Sequence, residues 1–139
     1  MNSNIVFEHP IRIYWEDTDA GGIVFYANYL KFFERARTEW LRHLGLEQQQ
    51  LKNDTGGMFV VSETQLKYHR PAQLDDLLQV SAQLQDKGRA SLVIAQQAWR
   101  LEPDQSRTLL CEGTIRIGWV QAQVLKPERI PSSILELLS

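Results

Sequence analysis

One long amphipathic segment, followed only by two-residue periodicity, is the strongest constraint on how this chain can fold. Between residues 28 and 44, Leu30, Phe33, Ala36, Arg37, Trp40, Leu41 and Leu44 recur every three to four positions. Lys31, Glu34, Arg35, Thr38, Glu39 and Arg42 fall between them. That spacing lays a broad apolar stripe along one side of a helix, and such a stripe must be covered. Asn28 offers an N-cap side chain, and Gly45 a C-terminal stop.

Four strand-like runs follow, over 58–68, 77–85, 91–101 and 109–120. In the second, Leu78, Val80, Ala82 and Leu84 alternate with Gln79, Ser81, Gln83 and Gln85. In the fourth, Leu109, Cys111, Ile115, Ile117 and Trp119 share one parity against Glu112, Thr114 and Arg116. Half-buried antiparallel strands alternate in this way. Asp86-Lys87-Gly88-Arg89 and Pro103-Asp104-Gln105-Ser106 carry turn chemistry and join hairpins. Upstream, 7–15 reads as an edge strand, with Pro10 near its start. The polar stretch 48–57 reads as a loop with room for a short helical turn, and 127–138 as a short terminal helix. Strand, helix and four strands make an α+β domain. A five-stranded antiparallel sheet wraps one long helix, the arrangement called hot dog, and 1–139 forms a single domain.

Composition excludes several functions. The net charge is -2, so bulk charge gives no attraction to nucleic acid. Cys111 is the sole cysteine and lies on an apolar parity, which fits a buried inert thiol and a reducing compartment. No apolar run approaches the roughly 20 residues of a membrane span. The N-terminal segment lacks the regions of a signal peptide. The expectation is a cytoplasmic protein with no transmembrane segment. There is no G-x-S-x-G elbow, phosphate-binding loop or dinucleotide fingerprint. His9, His43 and His69 lack metal-ligand spacing, so neither metal nor cofactor is expected.

The chemistry then falls to the loop Glu16-Asp17-Thr18-Asp19-Ala20-Gly21-Gly22, which leads into the helix. Glu16, Asp17 and Asp19 crowd together, which is costly unless donors satisfy them. On composition alone this is a solvated turn in which Asp17 or Asp19 caps the next element. Its position argues for more. A helix start presents free N–H groups and a dipole suited to developing negative charge. Gly21 and Gly22 let the backbone turn sharply and approach a ligand.

The run Tyr14-Trp15-Glu16-Asp17-Thr18-Asp19-Ala20-Gly21-Gly22-Ile23-Val24-Phe25-Tyr26-Ala27-Asn28-Tyr29, with Phe32-Phe33-Glu34-Arg35-Ala36-Arg37-Thr38-Glu39 after it, resembles the signature of the 4-hydroxybenzoyl-CoA thioesterase family. Within that family it is most similar to the acyl-CoA thioesterases associated with the bacterial Tol-Pal system. Pro71-Ala72-Gln73-Leu74-Asp75-Asp76 fits their later sequence. The resemblance implies a hot-dog homodimer or homotetramer with active sites at the subunit interface and acyl-CoA as substrate. It implies Asp19 as the catalytic carboxylate and Asp17 as a structural residue. It also implies that the backbone N–H of Tyr26 polarises the thioester carbonyl, while Gly21, Gly22 and Phe25 help form the binding site. Lys87 and Arg89 match a region where family members bind the nucleotide end; an ordinary solvated turn is the competing reading.

A thioester carbonyl is already activated, so a carboxylate suffices. Asp19 either attacks it to give a mixed anhydride or activates a water. A second class of function is a module that binds acyl chains or acyl carrier protein within an envelope or phospholipid-related assembly. A third, a hot-dog dehydratase, pairs an acid with a histidine, and no histidine lies in the acidic loop or early helix.

Overall fold

The computed structural model describes residues 6–138. Residues 1–5, on which the reading of the N-terminal segment rests, and residue 139 lie outside it. The described order is β1 (Phe7–Arg12), a single 3-10 turn at Trp15–Asp17, α1 (Asn28–His43), α2 (Gln48–Thr55) and β2 (Gly57–Tyr68). Then come β3 (Leu77–Lys87), β4 (Ser91–Leu101), β5 (Arg107–Gln121), β6 (Lys126–Pro127) and α3 (Ser132–Leu137). The strands form one antiparallel sheet in the order β1-β3-β4-β5-β2, and the two-residue β6 pairs with β5. This is the expected hot-dog arrangement.

The sheet covers α1 because the inward-facing residues of three central strands are apolar. Leu78, Val80 and Ala82 of β3, Leu92 and Ile94 of β4, and Ile115, Ile117 and Trp119 of β5 are all buried. Against them α1 presents Tyr29, Phe32, Phe33, Ala36, Trp40 and Leu41, also buried. Leu30 is a correction: it is 46% exposed, and Tyr29 takes its place on the stripe. Arg37 is only 8% exposed, and its Nη1 donates to Gln96 Oε1 at 3.0 Å. Gln96 in turn donates to the carbonyls of Phe33 and Ser81.

Both helix ends have local causes. At the C-terminus Gly45 adopts φ +88°, a region that glycine enters without steric cost. Gly45 N–H bonds Arg42 O at 2.9 Å and Leu46 N–H bonds Leu41 O at 2.8 Å, which together make a Schellman cap. At the N-terminus Asn28 does not cap. It is the first helical residue, and its Nδ2 reaches back to the carbonyl of Asp17 at 2.8 Å. The helix start is thereby tied to the acidic loop.

Two further expectations are corrected. Residues 48–55, read as a loop with room for a short helical turn, are a full two-turn helix; their polar sequence offers no apolar period to read. The parity of β5 is also interrupted. Ala98 of β4 faces Cys111 while Trp99 faces Leu109, so Leu110 is an extra, bulged residue. Its carbonyl accepts both His69 N–H and Arg70 N–H, and Leu110 and Cys111 are both buried.

Candidate active site

The loop between β1 and α1 folds back as a small hairpin. Thr18 bridges to Val24, and Ile23 bridges to Gln73. The turn closes through Gly22 N–H to Asp19 O at 3.0 Å and Asp19 N–H to Ile23 O at 2.9 Å. Gly22 has φ +79°, so a side chain there would be strained.

The two aspartates have different environments. Asp17 is 6% exposed. Its Oδ2 accepts the Tyr14 N–H at 2.8 Å, and its carbonyl accepts both Phe25 N–H and the Asn28 side chain. It is committed to holding the loop against the helix. Asp19 is exposed, and its Oδ1 accepts the Gly21 N–H at 2.8 Å. Its other carboxylate oxygen has no partner among the described residues. The crowding of three acids is therefore relieved by giving two of them backbone donors and leaving Glu16 at the surface.

Asp19 borders a cleft of about 490 Å³ whose walls include Phe25, Tyr26, Tyr29, Tyr68 and Arg70. The Tyr26 ring lies 4.8 Å from Phe25 and 5.9 Å from Tyr68, centroid to centroid, so its side chain is part of an aromatic wall. Its backbone N–H precedes α1 and has no acceptor among the described residues. Asp19, with one unused carboxylate oxygen, and Tyr26, with an unpaired amide before the helix, thus line the same cleft.

The remaining site candidates fall elsewhere. Gly21 and Gly22 shape the turn and are not cleft-lining; a Cβ on Gly21 would sit 3.2 Å from Asp19 Oδ1. Lys87 and Arg89 lie in the β3–β4 hairpin, at the opposite end of the sheet. Tyr68 at the cleft pairs with Cys111, whereas Ser91 beside the hairpin pairs with Gly118. Seven residues of β5 separate those positions, about 23 Å at the usual strand rise. Among the described residues no group of three His, Cys, Asp or Glu side chains could hold a metal.

The walls contributed by Tyr68, His69 and Pro71 were not foreseen as part of the site; the only sequence signal for them is the turn that follows β2. Tyr68 faces Tyr26 and Tyr29. His69, just past the end of β2, also borders the cleft, and its Nε2 lies 2.7 Å from Glu112 Oε2. Cys111, buried beneath Tyr68, has its thiol pushed up to about 12, mainly by desolvation. It has no thiolate character at working pH.

Comparison with known proteins follows the same lines. The profile of the thioesterase superfamily matches residues 21–106. The acyl-CoA thioester hydrolase YbgC of Escherichia coli is 40% identical over 135 residues, 97% of this chain and 96% of that protein. A probable thioesterase from Bartonella henselae superimposes with a TM-score of 0.83 at 29% identity, covering 91% of this chain and 100% of that one. The 4-hydroxybenzoyl-CoA thioesterase of a Pseudomonas species has a TM-score of 0.88 over 95% of this chain and 98% of its own. Its 21% identity speaks for shared fold alone.

Proposed function

The chain belongs to the thioesterase superfamily and is an acyl-CoA thioester hydrolase, and from that premise we propose that Asp19 and the backbone N–H of Tyr26 carry out the reaction. The observation that carries this reading is their meeting in one cleft. Asp19 has one oxygen fixed by Gly21 and the other unengaged, and the Tyr26 amide has no acceptor among the described residues.

The chemistry follows from those two groups. The free carboxylate oxygen adds to the thioester carbon, or takes a proton from a water that adds instead. As the carbonyl oxygen gains charge, the Tyr26 N–H and the α1 dipole stabilise it. The C–S bond then breaks and coenzyme A leaves as its thiolate. In the covalent route a water then hydrolyses the anhydride to free Asp19. In either route the proton lost by water ends on the thiolate or in solvent. Gly21 and Gly22 hold the turn that aims Asp19, and Phe25 packs with Tyr26 in the wall.

The complete site in this reading draws on two copies of the chain. In one chain Lys87 and Arg89 lie at the end of the sheet away from the cleft, about 23 Å along β5. Strand β2 is an unpaired edge that runs from the hairpin end to the cleft end, and its residues 61–65 are exposed. A second copy pairing antiparallel along β2 sets the Asp19 of one chain against the Lys87 and Arg89 of the other. Those cations would then take the phosphates of coenzyme A.

We place the reaction in the cytoplasm. Support for this is the free, buried Cys111, and no described helix is long and apolar enough to cross a membrane. Acyl carrier proteins present the same thioester, so they and phospholipid synthesis fall within this reading, as does a link to the Tol-Pal envelope system. The test is Asp19→Asn, which keeps the turn's shape and removes the base. Hydrolysis of acyl-CoA is lost while the thermal melt is unchanged. Full turnover in that variant overturns the assignment.

A further inference from the structure

Tyr29 follows Tyr26 by one helical turn and borders the same cleft as Asp19. It is 2% exposed, with its ring centroid 5.6 Å from Phe32 and 5.7 Å from Tyr68. Its hydroxyl oxygen accepts the Ala72 N–H at 3.1 Å. That bond occupies a lone pair and leaves the hydroxyl's own proton. Among the described residues no acceptor takes it.

An unpaired buried donor costs about 1–3 kcal/mol, a cost that a bound group accepting the proton relieves. A substrate in the cleft that Tyr29 borders can supply that acceptor. Burial pushes the Tyr29 hydroxyl up to about 12, with the Ala72 bond opposing. The group therefore remains a neutral O–H donor across the ordinary working range. The amide donating to its oxygen also polarises the O–H and strengthens it as a donor.

We propose that the Tyr29 hydroxyl is a second hydrogen-bond donor to the carbonyl oxygen of the bound thioester, beside the Tyr26 N–H. This rests on the reading of Asp19 and Tyr26 given above. Tyr26 and Tyr29 line the same cleft, so both donors face a substrate bound there. When the nucleophile's oxygen adds to the carbonyl carbon, the π electrons move onto the carbonyl oxygen. Tyr29 and Tyr26 donate hydrogen bonds to it and transfer no proton. The electrons return as the C–S bond breaks and the thiolate departs.

Tyr29→Phe keeps the ring and removes the hydroxyl. The expected result is a fall in kcat of about 100- to 1,000-fold with KM nearly unchanged. Loss of the Ala72 bond could lower activity for structural reasons alone, so a second variant is needed. A fluorinated tyrosine at position 29 fills nearly the same space, still accepts from Ala72, and ionises at lower pH. A packing role is blind to that acidity, whereas a phenolate cannot donate, so the donor role brings an alkaline loss of kcat to lower pH. Asp19, Tyr26, Tyr68, His69, Arg70, Asp76, Cys111 and Glu112 surround the site and are the same in both proteins. A limb that moves with fluorination therefore belongs to Tyr29. Unchanged kcat in Tyr29→Phe, or a pH profile that ignores fluorination, overturns the proposal. Asp19→Asn run in parallel separates the two claims. Activity in Asp19→Asn defeats the reading of the site, whereas an inactive Asp19→Asn beside a fully active Tyr29→Phe defeats the second donor alone.

Discussion

The two edges of the sheet are built to different ends. β1 is six residues long and carries Pro10, and its Glu8 takes both Nη groups of Arg107 at 2.7 and 2.6 Å. β2 is twelve residues long, has no proline, and is exposed from Val61 through Gln65. Short strands, prolines and fixed charges are how proteins keep an edge from being paired. β2 carries Glu63, Lys67 and a register shift after Val61, but it is twice as long, has no proline and ends at the cleft, so it is the edge the two-chain proposal uses. The contrast explains why the proposed site looks incomplete in one chain: its acid lies at one end of β2, and its cations lie beside the other.

The largest effect comes from breaking the β2 edge. Val61→Lys combined with Gln65→Lys places repelling charges along it while leaving its ladder to β5 intact. Sedimentation is expected to show the 16.1 kDa single chain, and kcat/KM is expected to fall by more than the roughly tenfold that losing the cations alone would give, because the cleft also loses the neighbouring copy. A mixed assembly sharpens the point. Combining an Asp19→Asn chain with a Lys87→Ala/Arg89→Ala chain rebuilds one intact site across the interface. Turnover that regains the wild-type KM supports the two-chain site, and a mixture that keeps only the raised KM would show that each chain works alone.

The sequence revealed the elements better than the site, for physical reasons. Alternation in β3 and β4 is regular because one face packs on α1 and the other does not, so those strands could be read directly. Where two neighbours are both apolar, alternation carries no information. Leu110 and Cys111 hide a bulge in this way, and Tyr29 beside Leu30 hides which residue faces the sheet. Helix α2 has no apolar stripe, so nothing announced it. Asp17 and Asp19 are alike in composition; their difference arises from Tyr14, Phe25 and Asn28, whose bonds form only when the loop folds. The family signature separated them where spacing could not. The far wall at Tyr68 to Pro71 comes from some forty residues away and depends on how the sheet curls.

A smaller effect tests the hairpin end of β2. Lys87→Ala with Arg89→Ala removes two cations from the proposed phosphate contact and leaves Asp19 untouched. KM for acyl-CoA is expected to rise about tenfold, equivalent to about 1.4 kcal/mol, with kcat unchanged. The gap between variant and wild type should narrow as salt is raised, since exposed charges are screened. A fall in kcat at constant KM would instead place the hairpin in the chemistry or in the fold.

The smallest effect lies on the closed edge. The Arg107 hydrogen bond holds the Glu8 carboxyl below its ordinary value of 4.5, with desolvation opposing and the charge of Arg107 assisting. A carboxyl depressed in the folded state stabilises the protein above its unfolded value. That contribution disappears as pH falls through the folded one. Both partners are about one-third exposed, so solvent screening limits the pair to about 0.2–1 kcal/mol. Glu8→Gln should therefore lower the urea stability slightly at pH 7, and the difference from wild type should close in acid. Acyl-CoA turnover should not change, because this edge serves no partner. If Glu8→Gln instead altered oligomeric mass or activity, β1 as well as β2 would have to be an assembly edge, and the asymmetry between them would be lost.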